Sequence, residues 1–116
     1  MSPSGRKARR SAKSELADLE VVFKALAHAS RRQVLMVLRF RGGRMTAGEI
    51  AGRFSCSWPT TTRHLGVLEA AGLVRVSKQG RERIYELDDE RLRGVVGDWL
   101  EWFAPEGADR PAKSGR

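Results

Sequence analysis

One cysteine, Cys56, in 116 residues leaves no partner for an intramolecular disulfide and excludes most thiolate metal clusters, a usage that fits a reducing compartment. Histidine is scarce too, with His28 and His64 isolated from one another in sequence. No apolar run approaches the roughly 20 residues that span a bilayer, and the basic N-terminus lacks the apolar stretch of a signal peptide, so the expected location is cytoplasmic. Nothing pairs a nucleophile with a base, cradles a phosphate in a glycine loop or sets two carboxylates in a catalytic cleft. An enzyme is therefore not expected.

Acid is missing from one part of the chain in particular. The formal net charge is +8. Residues 1–14 carry Arg6, Lys7, Arg9, Arg10 and Lys13 with no acid, and from Ser30 to Arg83 eleven Lys and Arg stand against Glu49, Glu69 and Glu82. The stretch 84–104 reverses the balance, with six Asp and Glu against Arg91 and Arg93. The basic surface thus belongs to the N-terminus and the middle, and it points to a polyanionic partner. A chain of this length is one domain with a single modest core.

Residues 1–14 hold almost nothing apolar and are expected to form a flexible basic arm, either an inert solvated tail or an electrostatic arm that adds phosphate contacts. From Glu15 on, Leu16, Leu19, Val22, Phe23 and Leu26 recur at helical spacing and predict an amphipathic helix ending near residues 27–29. Ser30 reads as the N-cap of a second helix over 31–41, with Val34, Leu35, Val37 and Leu38 inward and Gly42-Gly43 as the stop. The Arg31-Arg32 pair stands at the positive end of that helix; a phosphate outside the fold is one candidate partner, and the other reading is a pair of ordinary exposed arginines, which are common there and cost little. Thr46 and Glu49 have capping-box spacing and open a short helix from Ala47 to about Phe54, with Ile50, Ala51 and Phe54 buried.

Ser55-Cys56-Ser57 breaks the pattern, and Ser57 to Ala71 then reads as a helix with one wet face. Ser57 is a good N-cap, Pro59 is tolerated in the first turn, and Gly72 is the stop. At about 100° per residue, Thr61, His64, Leu65, Val67 and Leu68 gather on one side, and Trp58, Pro59, Thr62, Arg63 and Gly66 on the other. From Trp58 to Gly66 that outer side has no carboxylate, whereas a merely solvated face normally mixes Glu with Lys. A short helix, a tight polar turn and a longer helix form a helix-turn-helix, whose second helix enters the major groove.

After Gly72 the period changes to two. Leu73, Val74 and Val76 lead into a basic loop over 77–83, and Ile84, Tyr85 and Leu87 alternate after it, which predicts a β-hairpin with a basic tip. A hairpin directly after a recognition helix is a wing, with Arg81 and Arg83 placed for phosphates or a minor groove. Asp88 or Asp89 caps a last helix to about Phe103. Its stripe of Leu92, Val95, Val96, Trp99, Leu100, Trp102 and Phe103 is too much apolar area for a small domain to leave in water. Packing on the first helix and pairing with a second copy are both expected. Residues 105–116 read as a disordered tail. The fold class is mainly α with a small hairpin, in the order α-α-α-α-β-β-α.

This order, and the wording of three phrases, resembles the ArsR family of winged-helix repressors over about residues 16–103. Phe23 to Leu35 is similar to that family's opening phrase, Arg63-His64-Leu65 with Val67 to Val74 to its recognition-helix phrase, and Gly80 to Leu87 to its wing. The resemblance implies a homodimer built on the first and last helices that binds a double-stranded DNA operator as two half-sites. Its interface residues would be Leu16, Leu19, Phe23, Val96, Trp99, Trp102 and Phe103. On this reading Trp58, Pro59, Thr62 and Arg63 face base edges, while Ser57, Thr60, Arg81 and Arg83 hold the backbone.

Two departures from the family matter. Trp58 stands where the family has a polar residue such as Gln, and Thr61 where it has a core Val, so the family's base preferences do not carry over. Its metal-responsive members have paired cysteines where this chain has Thr46 and Gly48, and the last helix here has no histidine. Asp98 and Glu101 are i, i+3 carboxylates without a nitrogen or sulfur partner, a poor zinc set. No metal or cofactor is expected, and the inward-facing His64 reads as structural. Cys56 precedes a helix N-terminus, the setting of a redox thiol, although a small structural cysteine is the preferred reading. A disulfide between the two copies is excluded, because recognition helices in successive grooves stand about 34 Å apart. The effector is unknown from sequence, with a small apolar molecule between the first and last helices as one candidate. The competing functional reading is a winged helix that binds an acidic protein or coats DNA without sequence preference.

Overall fold

The computed structural model describes residues 12–54 and 57–105; residues 1–11 of the expected arm, Cys56 and residues 106–116 of the expected tail lie outside the described residues. The elements run α1 (Ala12–Leu26), α2 (Ala29–Phe40), β1 (Arg44–Thr46), α3 (Ala47–Ala51), α4 (Trp58–Ala70), β2 (Val74–Gln79), β3 (Glu82–Leu87) and α5 (Asp89–Glu101). Helix α1 begins at Ala12, so Ala12 to Ser14 are helical and do not belong to an arm.

The helical periodicity places the core. Val22 and Ala25 of α1, Val34, Leu35 and Leu38 of α2, and Leu65 and Leu68 of α4 are buried together with Ile50 and Leu73. Thr46 and Glu49 make both halves of the capping box: the Glu49 N–H donates to Thr46 Oγ1 at 3.0 Å, and the Thr46 N–H to Glu49 Oε1 at 2.8 Å. The helix they open is shorter than expected. It closes at Ala51, where Gly52 is a poor helix former, and Ala51 and Phe54 are half-buried.

Helix α2 also differs from expectation. His28 is its N-cap, without a side-chain hydrogen bond, and Ser30 lies inside the first turn. The start shifts because Arg31 and Arg32 fold back onto α1, as described below.

Strand β1 is an addition to the expected elements. It pairs antiparallel with β3, Met45 opposite Tyr85, and the sheet order is β1-β3-β2. This makes β3 the central strand. Ile84 and Tyr85 point to opposite faces yet are both buried, in place of the simple alternation expected. The hairpin ladder runs out to Gln79 opposite Glu82, so the expected loop over 77–83 contracts to the two-residue turn Gly80-Arg81. Gly80, at φ +65°, occupies the first central position, where such turns favour glycine.

Helix α5 is capped by Asp88, whose Oδ1 accepts the Arg91 N–H at 3.1 Å, and it packs on α1. Phe23 meets Trp99 edge-on with ring centroids 5.2 Å apart, and Trp99 meets Phe103 at 5.0 Å.

In the core, Thr61 is 3% exposed and its Oγ1 has no hydrogen-bond partner among the described residues. A buried unpaired hydroxyl costs about 1–3 kcal/mol, and valine has nearly the same shape. Thr61→Val should therefore raise stability by about 1–2 kcal/mol, read as a higher urea midpoint at unchanged slope. A lower midpoint would show that the hydroxyl contributes favourably.

Candidate nucleic-acid interface

The outer face of α4 is set by its first turn. Ser57 Oγ accepts the Thr60 N–H at 3.3 Å and donates to Thr60 Oγ1 at 3.0 Å, Pro59 follows inside the first turn, and that turn holds no acid. With Thr61, Leu65 and Leu68 buried, Trp58 is left 53% exposed and Pro59, Thr62, Arg63 and Gly66 are exposed beside it. The four residues expected to face bases thus share one open surface. Ser57 is exposed and Thr60 half-buried, and their hydroxyls bond each other within the cap.

The wing brings a second set of cations to this surface. Lys78 stands opposite Arg83 across the β2–β3 ladder, on the face that continues from the inward pair Val76 and Tyr85. Like charges opposite one another destabilise a hairpin, and an anion between them relieves the repulsion. Arg83, Trp58 and Thr62 line one notch of about 230 Å³ between α4 and β3, floored by Leu65 and Tyr85. Arg81 sits apart at the exposed turn. Lys78 falls in the wing, residues 78–83, expected on the backbone, but its pairing with Arg83 was not foreseen, since it depends on a register that only the short turn fixes. Arg75 is occupied elsewhere, with Nη1 2.9 Å from Asp88 and Nη2 3.7 Å from Glu86.

Behind α4 lies a contact that overturns the reading of Arg31 and Arg32 as phosphate ligands. Arg31 is 8% exposed; its Nε donates to the Ala25 carbonyl at 2.6 Å and its Nη2 to the Lys24 carbonyl at 3.0 Å. Arg32 Nη1 donates to the Leu26 carbonyl at 2.7 Å. Both guanidiniums therefore serve the last carbonyls of α1, which have no partner inside the helix and lie at its negative end. Arg31 Nη1 also faces His64 Nδ1 at 3.3 Å. A guanidinium only donates, so Nδ1 must be the acceptor and His64 neutral with its proton on Nε2. Burial holds His64 below its ordinary value of 6.5, assisted by the charges of Arg31, His28 and Arg63. The His28 ring lies 5.7 Å away. His64 is thus structural, and it ties α4 to the corner between α1 and α2.

The other end of α4 is closed by α5. Arg91 Nε donates to the Ala71 carbonyl at 3.0 Å and lies where a Cβ on residue 72 would come within 2.7 Å of it. Gly72, at φ +78°, is favoured by its left-handed backbone, and a Cβ there would push the Arg91 side chain away from the Ala71 carbonyl.

Residues 26–77 match a family model described as a helix-turn-helix domain. The chain is 35% identical over 86 residues to the transcriptional repressor SdpR of Bacillus subtilis, covering 74% of this chain and 92% of that protein. It is 32% identical to an ArsR-like transcriptional regulator of known structure from Rhodococcus sp. RHA1, with a TM-score of 0.65 and 76% of this chain and 80% of the other covered. The chain belongs to the ArsR family of winged helix-turn-helix transcriptional regulators. This ArsR-family protein is also similar to the arsenic resistance regulator ArsR1 of Pseudomonas putida, 30% identical over 74% of this chain and 72% of the relative. As a DNA-binding regulator of the ArsR family, it uses α3 and α4 as its helix-turn-helix and β2–β3 as its wing. Among the described residues no group of three or more His, Cys, Asp and Glu is placed to share a metal ion, and no helix is long and apolar enough to cross a membrane.

Two measurements check the contact behind α4. Arg31→Met leaves the Ala25 carbonyl without its donor and the Lys24 carbonyl with only the Ala27 N–H at 3.3 Å, and should cost about 2–3 kcal/mol in urea unfolding. The His64 contribution has a definite sign. A folded-state value below 6.5 means that the unfolded chain binds the proton more readily, so the stabilisation is whole above about pH 6.5 and is lost as the pH falls through the folded value. Stability of His64→Gln should decline less between about pH 7 and pH 5 than that of the parent. Parallel curves would remove His64 as the titrating group.

Proposed function

We propose that the protein is a cytoplasmic, homodimeric repressor that inserts α4 into the major groove of an operator half-site and lays the β2–β3 wing along the adjoining backbone. One observation carries this reading: the exposed face of α4 from Trp58 to Gly66, which holds no carboxylate, shares a notch with Arg83, whose cross-strand neighbour is Lys78. Trp58, Pro59, Thr62 and Arg63 face base edges, and Trp58 offers an apolar contact to a thymine methyl or a stacking surface. Ser57, Thr60, Arg81 and Arg83 meet phosphates, joined by Lys78 and by the positive end of α4. Kinship with the repressor SdpR supports a repressive outcome. The protein is a binder in this reading, not an enzyme.

The dimer is supported by the apolar side chains along α1 and α5. Leu16 is 64%, Trp102 78% and Phe103 66% exposed, with Phe23 and Trp99 partly open between them. Burying one indole is worth about 4–6 kcal/mol of transfer free energy, a strong drive to cover this face. Leu19 and Val96 are half-buried within their own chain and add less to the interface.

A footprint on the region upstream of the protein's own gene should show a protected inverted repeat; diffuse protection would favour a DNA-coating protein. Arg63→Ala should cost about 1–3 kcal/mol on the protected site and relax base preference there. Arg81→Ala should weaken specific and random DNA alike and reduce the salt slope by about one. Trp102→Glu combined with Phe103→Glu should give a monomer in sedimentation equilibrium; an intact dimer would move the interface elsewhere.

A further inference from the structure

The notch of about 230 Å³ between α4 and β3 has a composition that phosphate binding alone does not explain. Its lining is Ala47, Trp58, Thr62, Leu65, Arg83 and Tyr85: one cation, one aliphatic hydroxyl and four apolar or aromatic side chains, with no carboxylate. Leu65 and Tyr85 are 1% and 4% exposed, whereas the Trp58 indole beside them is 53% open. Arg83 has no ion pair among the described residues. None of these residues belongs to the face of α1 and α5 assigned to the second copy. The volume falls short of the roughly 300–1,000 Å³ that encloses a free organic molecule, so the notch suits one unit of a longer ligand.

Its place between helix and wing identifies that unit. In a duplex one sugar-phosphate strand separates the major groove from the minor groove. With α4 in the major groove and the wing on the adjoining backbone, that strand passes over the gap between them. A nucleotide of the strand offers two chemistries, an anionic phosphate and a deoxyribose whose C2′ is a methylene. Arg83, with Lys78 as its cross-strand neighbour, answers the first. The apolar floor and the indole answer the second, gaining from burial of the sugar's CH groups. A thymine methyl is a single carbon and would leave most of the notch empty. A 2′-hydroxyl on the same sugar would lose its water to an apolar floor.

We propose that this notch seats one deoxyribose of the strand running between helix and wing, with its phosphate on Arg83 and its sugar against the indole of Trp58. The inference rests on the mode of DNA binding proposed above. Of the two contacts open to Trp58, the stacking surface is the one used, and the sugar is what stacks on it. Trp58 then contributes affinity for deoxyribose backbone, while Pro59, Thr62 and Arg63 keep the base edges. A large apolar side chain thereby stands in an otherwise small and polar face without imposing a base preference of its own.

The duplex protected in the footprint, with single ribonucleotides placed one at a time through each half-site, tests the seat by competition binding to the full-length chain. One position per half-site should lose roughly threefold or more in affinity, and that loss should vanish in Trp58→Ala. On duplexes of DNA alone, Trp58→Ala should weaken the protected site and random sequence alike, roughly fivefold or more, at an unchanged salt slope because no charge is removed. Trp58→Phe should keep most of the affinity, and Arg83→Ala should lower the slope by about one. An unchanged urea midpoint checks that the variants stay folded. Tolerance of every ribonucleotide, a loss that persists in Trp58→Ala, or a change of base preference in Trp58→Ala with random DNA spared overturns the seat and leaves the repressor reading standing. Should the parent protect no site, the repressor reading fails, and random duplex still decides the seat: full affinity in Trp58→Ala overturns it.

Discussion

The rest of the structure depends on the Arg31 guanidinium. It is a buried charge, and such a charge is tolerated only where hydrogen bonds replace its water. Here the Lys24 and Ala25 carbonyls do so, while the third nitrogen turns to His64. One side chain thereby ends α1, begins α2 and sets the depth of α4. The orientation of the exposed α4 face follows from this packing, since any rotation of the helix that buried Trp58 or Arg63 would carry His64 away from the guanidinium.

The DNA-facing surface trades internal repulsion for reach. Lys78 and Arg83 oppose each other, and no acid stands in the first turn of α4 to moderate the positive helix end. Each feature weakens the free protein slightly and is compensated when phosphates arrive. Arg75, by contrast, is neutralised by Asp88 and Glu86 at the root of the wing, so the unpaired cations are concentrated toward its tip. In the proposed mode of binding, affinity built in this way falls with salt, whereas discrimination between sequences rests on the few side chains of α4.

Much of this was legible in the sequence wherever a local rule governs. Helical spacing located α1, α2, α4 and α5, the Thr46 and Glu49 spacing fixed the start of α3, and the polar outer face of α4 singled out the recognition helix. Contacts between distant segments were not legible. Strand β1 has three residues with one buried side chain, too short for alternation to register. The burial of Ile84 beside Tyr85 follows from that unseen strand. Arg31 and Arg32 look like solvent-facing charges until the turn at residues 27–28 brings the end of α1 within their reach. The tip of the wing hairpin was expected as a loop because Ser77 to Arg83 is polar throughout, yet both edges pair up to a single glycine-led turn.

Arg91 connects the two halves of the molecule. Its guanidinium is at once a wall of a cavity between α1 and α5 and the hydrogen-bond cap of the last turn of α4. The reading helix is therefore held like a beam on two supports, Arg31 through His64 on one side and Arg91 at its C-terminal end. A beam so mounted does not yield locally. A shift of α5 against α1 would tilt it as a whole, and in the proposed dimer such a tilt would change the separation of the two α4 helices, with every side chain of the exposed face still in its place on the helix.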